Sequence, residues 1–461
     1  MKLPKSNKGQ SMKHGSLKQV LGRADTFFLG FGAMIGWSWV ILAGLWIAKA
    51  GVLGAGLAFL VGSIAITVIG FTYAELASAM PVAGGEHKYT ERAFGPLHSF
   101  ICTWALIFGY ISVVAFEAIA LPVAVTYLFP AFKMMPLWSI AGYQVYGSEV
   151  ALGALSGILI TGLNILGVRL AARIQIGIVF FILAAGALLV GGGLVNLDAL
   201  DTSAPMWKGF SGVFAVIIMV PFMFVGFDVI PQSAEEVNMP PREIGQALVG
   251  SILLAVAFYL LIVLTVGYAP FDKANSTLYA ADAAGAYWHS TKAAAFLVIA
   301  GIGGIVTSWN AFLIGGSRAV FALARSGQLP KILGEVHPRF GTPWPAIILI
   351  GIFSVLAPML GRNALVWIVN AGGFGIVIAY LYVAASFIRL RRTDPDMDRP
   401  YKAPGGMATG IAAFILGLAI FVLYLPGSPA ALKWPQEWGM LLIWAIVGVV
   451  FVWIGRNKTP H

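Results

Sequence analysis

Gly30-Phe31-Gly32-Ala33-Met34-Ile35-Gly36-Trp37-Ser38-Trp39 interrupts the first long apolar run of the chain. Glycine inside a helix costs about 1 kcal/mol relative to alanine, so Gly30, Gly32 and Gly36 mark a place where the helix unwinds. At bilayer depth the freed N–H and C=O groups must be satisfied by protein or by a polar ligand. A second interruption, Phe224-Val225-Gly226-Phe227-Asp228, falls in the sixth apolar run. Paired breaks at corresponding positions of two halves are the arrangement a secondary transporter builds around a midplane site. The alternative for the glycines is close helix packing.

The surrounding chain makes the membrane setting plain. Of 461 residues, 59% are hydrophobic and 10% charged, with a mean hydropathy of +0.87; soluble domains carry roughly 25% charged residues. Twelve runs near the roughly 20 residues needed to span lie at 25–49, 54–80, 97–128, 149–168, 174–194, 210–234, 245–268, 293–316, 344–360, 364–388, 408–426 and 438–455. The reading is an all-α polytopic membrane protein with about 12 helices. Spans 1–5 (25–194) and 6–10 (210–388) form two halves. With five spans each they enter the membrane from opposite sides, and 408–455 adds two more. Residues 1–24 and 456–461 are tails.

The net charge of +10 follows topology rather than marking a nucleic-acid partner: 22 of 29 Lys and Arg fall on the side of the N-terminus and 7 on the other. By the positive-inside rule both termini are expected in the cytoplasm and the chain in the cytoplasmic membrane. The first 24 residues hold no apolar core of the signal-peptide type. A single cysteine, Cys102, and six scattered histidines offer no metal-ligand spacing, so neither a metal nor an organic cofactor is expected. No nucleophile with a base partner is visible, which argues against an enzyme. No repeated filter-like segment points to a channel.

Several residues carry candidate chemistry. N–H groups near Trp37 to Val40, at the start of a second half-helix, suit a carboxylate; carbonyls near Ala33 to Ile35 suit an ammonium group or Na+. Glu117, in the third span with no basic residue beside it, either meets a substrate amine or coupling ion or is protonated and hydrogen-bonded. Asp228 suits proton binding or gating, or caps the inner half-helix. Glu235 and Glu236 read as partners for Arg or Lys, and Glu75 as structural or gating. Thr307 and Ser308 could supply hydroxyl oxygens to Na+ together with carbonyls near Ala33, or hydrogen-bond back to their own helix.

Five motifs carry a resemblance. Gly32-Ala33-Met34-Ile35-Gly36, Ala74-Glu75-Leu76, Pro81-Val82-Ala83-Gly84-Gly85-Glu86-His87-Lys88-Tyr89 with Ala93-Phe94-Gly95, Gly226-Phe227-Asp228 with Ala234-Glu235-Glu236, and Ser317-Arg318 followed by Ala322 to Pro330 and His337 to Pro343 occur in order. The chain thereby resembles the amino acid-polyamine-organocation permeases over nearly its whole length. The resemblance implies a LeuT-like 5+5 inverted repeat plus two helices, with spans 1 and 6 discontinuous. It also implies alternating-access transport of an amino acid or small amine, driven by H+, Na+ or exchange; an organic-cation or polyamine carrier is the alternative. Candidate substrate contacts are then Ala33, Met34, Ile35, Gly36, Trp37 and Ser38 in span 1, Glu117 in span 3, and Phe222, Met223, Val225 and Gly226 in span 6. Ion coupling or gating falls to Ala33, Glu117, Asp228, Thr307 and Ser308. Two features depart from the family pattern. Trp37 and Trp39 stand where small residues are common, either shaping the pocket or packing, and Ile176 to Leu194 contains no Lys.

Overall fold

A computed structural model describes residues 19–203, 205–273 and 276–456. The basic N-terminal residues up to Lys18, the residues after 456 and the side chains of Arg169 and Arg173 lie outside that description.

Among the described residues, ten helices are long and apolar enough to cross a membrane, and two shorter apolar helices complete the series. In order they are Arg23–Ile41 continuing to Ala50, Val52–Ala79, Pro96–Leu128, Gly147–Leu166, Val168–Val195, Phe210–Gln232, Pro241–Gly267, Thr291–Arg325, Trp344–Leu360, Ala364–Thr393, Met407–Leu423 and Gln436–Arg456. They are called spans 1 to 12 below. Alternation puts the starts of odd spans and the ends of even spans at one end of the bundle, which also holds Arg92, Arg318, Arg325 and Arg391. This is the basic end.

Four elements depart from the sequence reading. Span 8 runs to Arg325 rather than stopping near 316, because Ala- and Leu-rich turns continue the helix and Arg318, fully buried, is neutralised by Glu236. A two-stranded antiparallel hairpin, Pro136–Ile140 with Tyr143–Tyr146, joins spans 3 and 4 at the far end, so the chain is not purely helical. Two further helices, Glu86–Phe94 and Tyr279–Tyr287, lie in connections. The first has Glu86 in its first turn and Arg92 in its last, matching the helix dipole. It stops at Gly95, whose φ of +87° ends the helix before Pro96 opens span 3.

Span 3 is the buried axis: its best apolar window is 100% buried, against 11% for span 12. Spans 8 and 10 pack along it, span 7 packs on span 2, and span 1 lies against spans 5, 7 and 8. At the basic end Glu75 of span 2 is buried and accepts two hydrogen bonds from Arg391 at 2.9 and 2.5 Å, with the Arg399 Nε 3.2 Å away and the Ala403 N–H at 2.8 Å. That network ties span 2 to the connection between spans 10 and 11. At the far end Lys273 bonds Asp201 at 2.6 Å, and this hydrogen bond holds the Asp201 carboxyl down at about 2.

Candidate functional site

Span 1 is broken at Gly36, whereas Gly30 and Gly32 stay helical and let Ile230 and Val179 pack close. Its first half ends at Met34, the chain turns through Ile35, Gly36 and Trp37, and helix resumes at Ser38. A short irregularity at Leu42 precedes Ala43–Ala50. Span 6 is helical over Phe210–Ile217 and Val220–Phe224, turns through Val225 to Asp228, and resumes at Val229–Gln232. All residues over 29–44 and 216–234 are buried, so both breaks are closed to solvent in this arrangement.

The two breaks touch. Gly226 has φ +136°, and a Cβ there would lie 2.6 Å from the Ala33 Cβ and 2.8 Å from the Met34 nitrogen. Only glycine combines that backbone angle with so close an approach. Ala33, Met34 and Gly226 are thus gathered at one point, with Met223 and Val225 buried on the span-6 side.

A second gathering forms around Gly36. A Cβ on Gly36 would strike Glu117 Oε1 and would lie 2.7 Å from the Ser308 Cβ. Its absence lets spans 3 and 8 close on the bare backbone. The Glu117 carboxyl lies beside the Ser308 hydroxyl and the Trp37 backbone N–H, yet its Oε2 is buried with no hydrogen-bond partner. No cation pairs with it among the described residues. Isolated buried carboxylates are expensive, so this oxygen is a place for a proton or for a positively charged group.

Neighbouring spans hold the unwound carbonyls of span 1. Thr307 donates to the carbonyls of Gly32 at 3.1 Å and Gly304 at 3.0 Å. Ile35 lies by span 8, its carbonyl 3.2 Å from where a Gly304 Cβ would stand. Tyr259 of span 7 donates to the Met34 carbonyl at 2.7 Å, and its hydroxyl also lies 2.9 Å from the Ser38 hydroxyl. One phenol therefore touches both halves of the broken helix. Gln175 of span 5 donates to the carbonyls of Phe28 and Leu29, each at 3.2 Å, and accepts from Asn310 at 3.1 Å; Asn310 in turn accepts from Asn164 at 2.9 Å. Tyr259, Gln175, Asn310 and Asn164 escaped the sequence reading. Their signal was an amide or phenol inside an otherwise apolar span, which costs unless hydrogen-bonded.

Other candidates lie apart. Trp37 turns toward span 8, where Gly301 leaves room for its ring. Trp39 meets Phe258 of span 7 edge-on at 5.3 Å. Both indoles are fully buried, which matches the packing alternative. Phe222 stands against Phe116 of span 3 at 5.7 Å between centroids and beside Gly372 of span 10. Asp228 bonds within its own break, its Oδ1 accepting from the Gly226 N–H at 2.7 Å. Glu236 and Glu235 do find arginines: Arg318 at 2.7 Å and Arg325 at 3.4 Å.

This geometry can be set beside known proteins. Residues 21–452 match the family model described as amino acid permease. The chain belongs to the amino acid permease family. Its members are membrane transporters and not enzymes, and this permease accordingly shows a multi-pass helical membrane fold. It is 28% identical to the branched-chain amino acid permease BcaP of Bacillus subtilis (strain 168), over 96% of this chain and 94% of that one. It is 26% identical to a methylthioribose transporter of the same organism, over 99% and 97%, and 28% identical to its aspartate-proton symporter, over 90% and 81%.

Proposed function

We propose that this permease carries an amino acid across the cytoplasmic membrane by alternating access, with both termini and the basic end in the cytoplasm. Spans 1–5 and 6–10 act as two repeats of opposite orientation, with spans 11 and 12 appended. The substrate sits where the two breaks meet. The observation that carries this reading is the buried, partnerless Glu117 Oε2 held against the bare backbone of Gly36 at the span-1 break. An α-amino acid bears the two matching charges: its carboxylate suits the N–H groups of Gly36 and Ser38, its ammonium suits Glu117. Ala33, Met34, Ile35, Met223, Val225 and Gly226 supply backbone walls, and Phe222 an apolar cover. The relatives named for branched-chain amino acids and for aspartate support an amino acid as cargo.

Driving force falls to a proton, Na+ or exchange of one solute for another. Gly32 O and Gly304 O each lie within hydrogen-bond distance of the Thr307 hydroxyl, with Ser308 adjacent in sequence; such an oxygen set suits Na+. Glu117 and Asp228 suit a proton. An organic-cation or polyamine carrier is favoured less, because Trp37 and Trp39 are engaged in packing rather than presenting their faces to a cation.

Purified protein in proteoliposomes, offered a panel of amino acids and amines under imposed H+ and Na+ gradients, tests the reading. Saturable uptake or exchange of an amino acid is expected. If no organic solute moves under any gradient, the transport reading fails; uptake confined to amines would favour the cation carrier.

A further inference from the structure

Below the span-6 break, toward the basic end, two carboxylates are buried together. Asp228 and Glu86, the first residue of the helix after span 2, are both fully buried. Asp228 Oδ1 takes the Gly226 N–H, and Glu86 Oε2 takes the amide of Gln232. Their other oxygens, Asp228 Oδ2 and Glu86 Oε1, have no partner, and neither do Gln232 Oε1 or the hydroxyls of Tyr73, Tyr110 and Tyr380. Tyr73 faces Glu86 and Tyr110 faces Asp228 without closing a hydrogen bond.

No free cation stands nearby among the described residues. Span 2 contributes Tyr73, since Glu75 is held by Arg391 and Arg399. The helix Glu86–Phe94 contributes Glu86, Tyr89 and His87, the last beside the Ser99 hydroxyl at 2.6 Å; its Lys88 pairs with Glu91. Span 3 contributes Cys102 and Tyr110, and span 10 contributes Tyr380. Arg318 and Arg325 of span 8 are taken by Glu236 and Glu235. Span 1 presents the neutral Ala33 and Met34, and the titratable Tyr259 of span 7 bonds the Met34 carbonyl instead.

Glu86 bonds Gln232, one helical turn after Asp228, and two desolvated carboxylates this close in the fold cannot both be ionised without large cost. Burial and the neighbouring Asp228 push the Glu86 carboxyl well above the usual carboxylate range. N–H groups from Gly226 and Gln232 occupy one oxygen of each acid and leave Asp228 Oδ2 and Glu86 Oε1 open to a proton. The same acids sit where two elements meet. The Gly84 N–H donates to the Gln232 carbonyl at 3.3 Å, and a Cβ on Gly85 would lie 2.9 Å from Pro231. The loop after span 2 is thereby seated on the inner end of span 6.

We propose that Glu86 and Asp228 share one proton that keeps this loop seated on span 6, and that its loss to water leaves two carboxylates whose repulsion unseats it. The pair is then a proton site distinct from the Glu117 site; calling the release cytoplasmic rests on the orientation proposed above. At low pH the seat is closed, and it opens as pH rises through the titration of the pair.

The native Cys102 reports on it, being buried beside Thr90 and Glu86. The purified permease in liposomes is labelled with membrane-permeant N-ethylmaleimide from pH 6 to 8.5, alongside Glu86→Gln. In the ratio of wild-type to variant rates the thiol's own ionisation drops out except for the effect of a charged Glu86, which disfavours the thiolate and so lowers the ratio as pH rises, opposite to the opening signal. That ratio is expected to rise with pH by up to about tenfold per unit, the slope of a one-proton equilibrium. Asp228→Asn serves as the same reference, and takes over if Glu86→Gln does not give monodisperse protein. A ratio independent of pH against the folded reference overturns the proposal. So does a ratio that follows replacement of choline by Na+ at fixed pH, which would make the site one for a metal cation. The labelling needs no substrate and no sidedness, so it stands or falls apart from the transport reading.

Discussion

In span 1 the freed carbonyls are taken by side chains from other spans: Thr307 on Gly32 and Tyr259 on Met34. In span 6 the break bonds within itself, Asp228 to the Gly226 N–H two residues back, and its lower end is fastened by the buried Arg318–Glu236 pair. One break is held by its neighbours, and the other bonds within its own sequence with a single neighbour, span 8, fastening its lower end. The difference teaches that the first can be reshaped by motion of spans 7 and 8, while the second moves as a preformed piece. Substitutions in the two regions should separate accordingly.

The largest effect is expected at the fastening of span 6. Arg318→Ala leaves Glu236 buried without its partner, which costs about 3–5 kcal/mol, read as a fall in thermal stability of the purified protein. Arg318→Ala together with Glu236→Ala should recover part of that loss; an additive loss would mean that the pair is not what anchors the helix. Next comes Gly226→Ala, which puts a side chain at φ +136° and against Ala33. Backbone strain of about 1–3 kcal/mol and the contact itself are expected to abolish uptake. A variant that still transports at the wild-type rate would show that the two breaks need not touch.

On the span-1 side, Glu117→Gln keeps shape but removes the negative charge from the partnerless oxygen. Uptake is expected to fall by at least about tenfold, equivalent to about 1.4 kcal/mol, and unchanged uptake with unchanged pH dependence would remove Glu117 from the mechanism. Tyr259→Phe removes one donor shared by the two halves of span 1. About 0.5–1.5 kcal/mol of stability should go with it, and combining it with Ser38→Ala should cost less than the sum of the two.

The smallest effect lies at the entry to span 6. Lys273 holds Asp201 down at about 2, below the ordinary aspartate value of about 3.9. Its stabilising contribution is therefore full above that ordinary value and is lost as pH falls through 2. Thermal stability of Lys273→Ala should differ from wild type by less than about 1 kcal/mol at pH 6, and the difference should vanish at the acid end. A difference that grew on acidification would reverse the sign of the assignment.

Much of this architecture is legible in the chain. Apolar runs located the twelve spans, because a bilayer demands length and composition above all, and Gly36 and Gly226 located the two breaks. The pairing of Glu236 with an arginine follows from the cost of burying either alone. Tertiary choices were less visible. Trp37 and Trp39 are the same residues whether they line a pocket or pack on Gly301 and Phe258, and only the fold decides. Gln175, Asn310 and Asn164 sit at ordinary positions of apolar helices; that they form one chain of amides depends on three spans converging. The extension of span 8 past residue 316 was hidden because Arg318 reads as loop until its partner is known.

The phenol of Tyr259 has a mechanical consequence. Hinging at residues 35–37 changes the separation of Met34 and Ser38, and both ends of that separation report to the same oxygen atom. The joint therefore works like a detent rather than a soft spring: small bends are resisted, and a larger one must let go of one contact before proceeding. Rates of conformational exchange should then show a discrete barrier that Tyr259→Phe lowers, turning an abrupt step into a gradual flexing.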